Sequence, residues 1–133
     1  MINLVIDASA GVDLLLSTPT GRALLPKIPA EAQWWAPEHY FAEVAGAVRR
    51  LELHGNLHPA RAASAIASLA SAPINRVQLR PILTEAWSKR HNLTIADALY
   101  VVVAEHLRAT LVTTDINLAG APTLTIPTLD PRP

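Results

Sequence analysis

The sequence predicts an α/β fold: a three-layer sandwich whose central, mainly parallel sheet of four to five short strands carries helices on both faces. Short apolar, β-branched runs alternate along the chain with segments of helical periodicity. That alternation calls for crossover helices and hence for parallel pairing. Two acidic residues, Asp7 and Asp115, stand just past the carboxyl ends of strand-like runs. Folds of this class hold their ligands there.

Ile2 to Ile6 reads as a buried strand, apolar on both faces. Asp7-Ala8-Ser9 turns the chain into a short helix from Ala10 to Leu16, and a second runs from Thr20 to Leu25, stopped by Pro26 and Pro29. Trp34-Trp35-Ala36 is the next strand, ended by Pro37. Proline suits a first helical turn, and Phe41, Val44, Val48 and Leu51 then recur at helical spacing until Gly55-Asn56 ends the helix. His58-Pro59 opens an alanine-rich helix to about Ala70. Arg76-Val77-Gln78-Leu79 is a short strand, and Pro81 to His91 a helix with Ile82, Leu83, Ala86 and Trp87 apolar. Thr94 caps a helix reaching about Leu107, and Leu111-Val112 and Leu124-Thr125-Ile126 are the last strands. Residues 1–133 make one domain without repeat or linker, and the proline-rich residues 127–133 read as a loose tail.

Half of the 133 residues are apolar and 17% are charged, enough for a core. Eleven basic and eleven acidic side chains cancel, so only a local patch could attract a polyanion. The absence of cysteine excludes disulfides, thiolate metal sites and cysteine nucleophiles. The first apolar run is broken at Asp7, too soon for a signal peptide. No stretch reaches the ~18 uncharged apolar residues of a membrane span. A soluble, cytoplasmic protein with no membrane partner is therefore expected. The histidines His39, His54, His58, His91 and His106 lack zinc-site spacing, and neither a nucleophile elbow nor a glycine-rich phosphate loop occurs.

Four acids stand out because each adjoins an apolar element. Asp7 ends the first strand, Glu43 lies in the helix after Pro37, Asp97 opens the apolar run Ala98 to Ala104, and Asp115 follows Leu111-Val112-Thr113-Thr114. Gathered together, about four negative charges require protonation or a cation. An all-oxygen ligand set selects a hard ion such as Mg²⁺ or Mn²⁺. Each acid also has an ordinary structural role open to it. Asp7 can cap the helix that follows. Asp97 occupies N3 of a capping box begun by Thr94, Glu43 borders the apolar stripe near Tyr40 and Ala47, and Asp115 suits a turn. Capping and metal binding can coexist, since one carboxylate oxygen can cap while the other coordinates. Asp13, Glu31, Glu52, Glu85, Glu105 and Asp130 read as surface charges, and Glu38 as a first-turn acid.

Four segments together resemble a PIN-domain ribonuclease, and most of all the VapC-type toxins of bacterial toxin–antitoxin pairs. They are Val5-Ile6-Asp7-Ala8-Ser9, Pro37 to Val44, Leu93 to Tyr100, and Leu111 to Asp115, in that order and over nearly the whole chain. The resemblance implies a PIN-like sandwich. It makes Asp7, Glu43, Asp97 and Asp115 catalytic metal ligands and gives the Thr113 hydroxyl a supporting role. Many relatives carry a further acid at the place of Asn117, whose amide oxygen can accept or coordinate but brings no charge. The resemblance further implies Mg²⁺ (or Mn²⁺) as cofactor and RNA as substrate, with structured RNA such as tRNA or rRNA among the options. It also implies a VapB-type antitoxin partner and a homodimer. Arg22, Lys27, Arg49, Arg50, Lys89 and Arg90 are the cations available to RNA. Within the family, an RNA-processing nuclease without toxin activity is the alternative. A Mg²⁺-binding receiver-like module fits less well, because no lysine follows the Leu111-Val112 strand.

Overall fold

A computed structural model describes residues 2–133. The strands are β1 (Ile2–Ile6), β2 (Ala32–Pro37), β3 (Ile74–Val77), β4 (Thr110–Val112) and β5 (Thr128–Leu129). The helices are α1 (Ala8–Leu15), α2 (Pro19–Leu24), α3 (His39–Leu53), α4 (Pro59–Ala70), α5 (Leu83–Ser88), α6 (Ile95–Leu107) and α7 (Ile116–Ala119). The sheet runs β3-β2-β1-β4-β5 and every pairing is parallel. From β1 the chain crosses to β2 and β3 on one side, then returns past both to β4 on the other. Right-handed crossovers in opposite directions put α1 to α4 on one face and α5 and α6 on the other.

Apolar periodicity explains the layers. Leu4, Val5, Leu111 and Val112 are sealed from solvent, as a strand between two layers must be. Helix α6 packs against β1, β2 and β4. Its residues Ala98 to Ala104 are all buried, so it needs no polar face over that stretch. On the opposite face, α3 is amphipathic, burying Tyr40, Val44 and Val48. Helix α1 packs on α2, α3 and α4. Among the described residues no helix is long and apolar enough to cross a membrane.

The expected elements recur with shifts that have local causes. The third strand lies two residues earlier than Arg76 to Leu79. Val77 O accepts from Glu38 N at 2.9 Å, closing the ladder, while Leu79 O already accepts from Ile82 N at 3.1 Å in a 3-10 turn. The helix expected over Pro81 to His91 divides into that turn, Arg80–Ile82, and α5. The last strand is not Leu124-Thr125-Ile126, because Leu124 N donates to Ala121 O in the turn after α7. It is Thr128–Leu129, inside the segment read as a tail. There Pro127 O and Leu129 O accept from Leu111 N at 2.9 Å and Thr113 N at 3.1 Å. Proline at the start of an edge strand costs no ladder donor. Lys27 Nζ also donates to the carbonyls of Asp130 and Arg132. Helix α7 was not anticipated at all.

Two glycines make opposite predictions. A Cβ on Gly21 would lie 2.1 Å from the Asp13 carbonyl oxygen, a backbone atom that cannot move aside. Gly21→Ala should lower stability by about 1–3 kcal/mol. A Cβ on Gly46 would meet Arg50 Nη1 only at 3.6 Å, an ordinary contact. Gly46→Ala should raise stability by about 0.5–1 kcal/mol through helix propensity. Urea denaturation of the two variants checks both signs.

Candidate active site

The sheet changes direction between β1 and β4, and the site is built where those two strands end. Register pairs Ile6 with Val112, so Asp7 and Thr113 leave the sheet side by side. Asp7 N still donates to Val112 O at 3.1 Å, which fixes the direction of its side chain. Asp7 Oδ1 accepts from Ala10 N at 2.9 Å, capping α1, and from Ser9 Oγ at 2.7 Å. Asp7 Oδ2 accepts from the Thr113 hydroxyl. Thr113 Oγ1 in turn accepts from Asp115 N at 3.0 Å, and Ser9 Oγ accepts from Thr114 N at 3.1 Å. Asp115 Oδ1 caps α7, accepting from Asn117 N at 3.0 Å and Leu118 N at 3.3 Å. Asp7 and Thr113 are the buried polar residues of the core, at 4% and 0% exposure. They form a hydrogen-bonded clasp between the two strand ends.

The other wall comes from α3 and α6. Tyr100 donates its hydroxyl to Glu43 Oε1 at 2.6 Å. His39 Nε2 lies 3.1 Å from the Ala96 carbonyl and 3.6 Å from Glu43 Oε1, and its ring packs on Tyr100 with centroids 4.6 Å apart. These contacts dock the start of α3 on the start of α6. Thr94 Oγ1 accepts from Asp97 N at 3.1 Å, the first half of the expected capping box. Glu43 and Asp115 are half-buried, as is Asp97.

Electrostatics ties the walls together. Burial pushes the Asp7 carboxyl from its ordinary 3.8 up to about 6, against the hydrogen bonds from Ala10, Thr113 and Ser9, and the Asp97 charge adds to the rise. Asp97 is raised as well, first by burial and then by Asp115 and Glu43, while Thr94 and His39 oppose. Asp97 therefore senses charge on all three of the other acids. Tyr100 is held well above its usual range by burial and by Glu43, so it stays a proton donor. Among the described residues no three His, Asp or Glu side chains already converge at ligand distance.

The donor set nevertheless fits a hard cation. Two carboxyls resist ionisation because burial and neighbouring charge go unanswered, and a positive ion would answer both. Carboxylate oxygens are the ligands that Mg²⁺, Mn²⁺ and Ca²⁺ prefer.

The PIN-domain pattern matches residues 4–123, so the chain belongs to the PIN-domain family. Ribonuclease VapC3 of Mycobacterium tuberculosis is 40% identical over 117 residues, covering 88% of this chain and 85% of the relative. Within the family the chain belongs with the VapC ribonucleases. Two solved structures share the fold. VapC20 of Mycobacterium tuberculosis, a sarcin–ricin loop cleaving toxin, has a TM-score of 0.67 at 15% identity, covering 90% of this chain and 95% of that one. VapBC2 of Rickettsia felis, bound to a DNA fragment from its promoter, has a TM-score of 0.64 at 17% identity, covering 97% of this chain and all of that one.

Sequence reasoning missed Ser9, Tyr100, His39 and Asp13. A tyrosine inside the buried run Ala98 to Ala104 was a usable signal, because a buried hydroxyl seeks a partner. Asp13, read as a surface charge, accepts from the hydroxyls of Thr18 and Thr114, each at 2.7 Å, bracing α1 against the β4 exit. The other acids read as surface charges include three in local pairs, Glu85 with His106, Glu105 with Lys89 and Asp130 with Arg132.

The raised Asp7 pKa sets a stability trend for metal-free protein. A folded-state value of about 6 against 3.8 means that ionising Asp7 opposes folding. Its favourable contribution is complete below about pH 4 and is lost as pH rises through 6, a change on the order of 2–3 kcal/mol. Asp7→Asn removes the charge and keeps the shape, and Thr113 can turn its proton toward Ser9, 3.3 Å away, to accept from the new amide. In EDTA, thermal melts should show Asp7→Asn more stable than wild type at pH 8 and near parity at pH 4. An equal difference at both pH values would contradict the assignment.

Proposed function

We propose that the protein is a Mg²⁺-dependent endoribonuclease, with Mn²⁺ able to substitute, that hydrolyses RNA phosphodiester bonds as the toxin of a toxin–antitoxin pair. The observation that carries this reading is the buried Asp7 joined through Thr113 to Asp115, at a switch point shared with Asp97 and Glu43. Asp7, Asp97 and Asp115 would hold the cation, with Glu43 as a further ligand or a base. A bound Mg²⁺ neutralises charge developing on the phosphoryl and leaving oxygens and acidifies water. Thr113 fixes Asp7 and Asp115 relative to one another. Tyr100 occupies Glu43 Oε1, leaving Oε2 to orient the attacking water and take its proton. The clasp keeps these groups in place before substrate arrives, so little reorganisation is needed during reaction.

Toxin–antitoxin membership brings further expectations for this chain. A VapB-type antitoxin would lay a helix or extended segment across the acids and offer them an arginine. A cytoplasmic homodimer acting on structured RNA such as tRNA or rRNA, so as to block translation, completes the reading.

Purified protein should cleave total cellular RNA with Mg²⁺ or Mn²⁺ and not with EDTA. Asp97→Asn should lower the rate by at least about a hundredfold, roughly 3 kcal/mol of barrier. Equal cleavage by wild type and variant would refute the site, and no cleavage by wild type would refute general ribonuclease activity.

A further inference from the structure

Beside the acids a groove of about 380 Å³ runs between α1 and α3. Glu43, Ala47 and Arg50 line its α3 side, and Ala8 and Val12 its α1 side. The spacing of four and then three residues puts the three α3 positions on one helical face. Glu43 closes one end in the acidic site, and Arg50 stands about 10 Å along the helix. Asp13 also lines the groove, but each of its oxygens already accepts a threonine hydroxyl. The walls between are small and apolar.

Arg50 is exposed and, among the described residues, its guanidinium makes no hydrogen bond or ion pair. Arg49 is also exposed but lines a different groove, between α3 and α4, and the other four candidate cations are engaged locally. Lys89 pairs with Glu105 at 3.1 Å, and Arg90 stacks over Trp87 at 4.8 Å. Arg22 and Lys27 donate to the carbonyls of Ser17 and Asp130. An unspent guanidinium beside a cluster of carboxylates suits a group that is anionic and already drawn to the site, and a phosphate accepts its two parallel N–H donors.

We infer that this groove binds the nucleotide flanking the cleaved bond, with Arg50 pairing to that nucleotide's phosphate and Ala8, Val12 and Ala47 contacting its sugar and base. The inference rests on the ribonuclease reading. Arg50 springs from α3 two turns beyond Glu43 and makes no ion pair with it, so its part here is that of a positioning residue that acts through binding. Its loss therefore weakens substrate binding without altering the chemical step.

The test is fluorescence anisotropy of a fluorescein-labelled, random-sequence RNA 12-mer against Asp97→Asn protein over a KCl series. Adding Arg50→Gln should weaken binding about five- to tenfold and reduce the slope of log Kd against log[KCl] by about 0.7, the share of one single-strand phosphate contact. Arg50→Lys should recover part of both effects. Ala47→Gln should weaken binding by filling the groove while leaving the slope alone. Arg108→Gln, just before β4 and so at the opposite end of the sheet, should change nothing. Unchanged affinity and slope with Arg50→Gln, or no 12-mer binding by the starting protein, overturns the inference. So does weakening only of antitoxin binding, which would assign the groove to a protein partner. Cleavage of cellular RNA by wild type is scored separately, so failure of the groove and failure of the nuclease reading remain distinct.

Discussion

The rest of the site depends on one buried charge. Asp7 is sealed in the core at the end of a central strand, where a lone carboxylate is costly. Three donors, from Ala10, Ser9 and Thr113, answer its two oxygens, yet burial still prevails and holds its pKa near 6. The sheet register makes this arrangement possible. A slip of one residue between β1 and β4 would turn Asp7 and Thr113 to opposite faces and break the clasp. Pairing of Ile6 with Val112 is therefore as much a feature of the site as the carboxylates are.

The two walls differ in stiffness, and the difference suits their parts. On the β1/β4 side each acid is held by backbone amides of a helix start, so Asp7 and Asp115 have little freedom. On the α3/α6 side Glu43 has a single strong partner in Tyr100, a second group in His39 at 3.6 Å, and one oxygen open. A rigid half can define where positive charge must sit, while an adjustable acid can follow a water or phosphate as the reaction proceeds. Both acids on the rigid side cap with Oδ1; Asp7 Oδ2 then takes the Thr113 hydroxyl, while Asp115 Oδ2 accepts no hydrogen bond among the described residues.

What was legible in the sequence was mostly local. A strand of five residues, four of them apolar, ended by Asp7, and Thr94 three residues before Asp97, carry their own instructions, and both occur as read. Glu43 was harder, since nothing in α3 says that its flank meets α6; family resemblance supplied that expectation, and the Tyr100 contact gives it a physical basis. Ser9 and Asp13 were invisible because Thr114, a partner of both, is brought to them only by the tertiary fold. The fifth strand was misplaced because Leu124-Thr125-Ile126 has the better strand composition. Thr128 and Leu129 won the position because the carbonyls of Pro127 and Leu129 reach the open edge of β4.

Net neutrality acquires a meaning once the charges are placed. Several basic side chains answer acids or carbonyls close by, as Arg76 does Glu38, Lys89 does Glu105 and Arg132 does Asp130. Such pairs at the surface add little stability, but they remove cations that would otherwise spread attraction over the surface. The acids of the site are the opposite case: no lysine or arginine pairs with them, and burial first, then the charges of Asp115 and Glu43, raise Asp97. A polyanion approaching this protein meets no long-range pull and a locally repulsive centre. Attraction must then come at contact, from whatever cation the acids hold and from side chains at the rim such as Arg50. A surface of this kind discriminates by fit at short range rather than by steering from a distance.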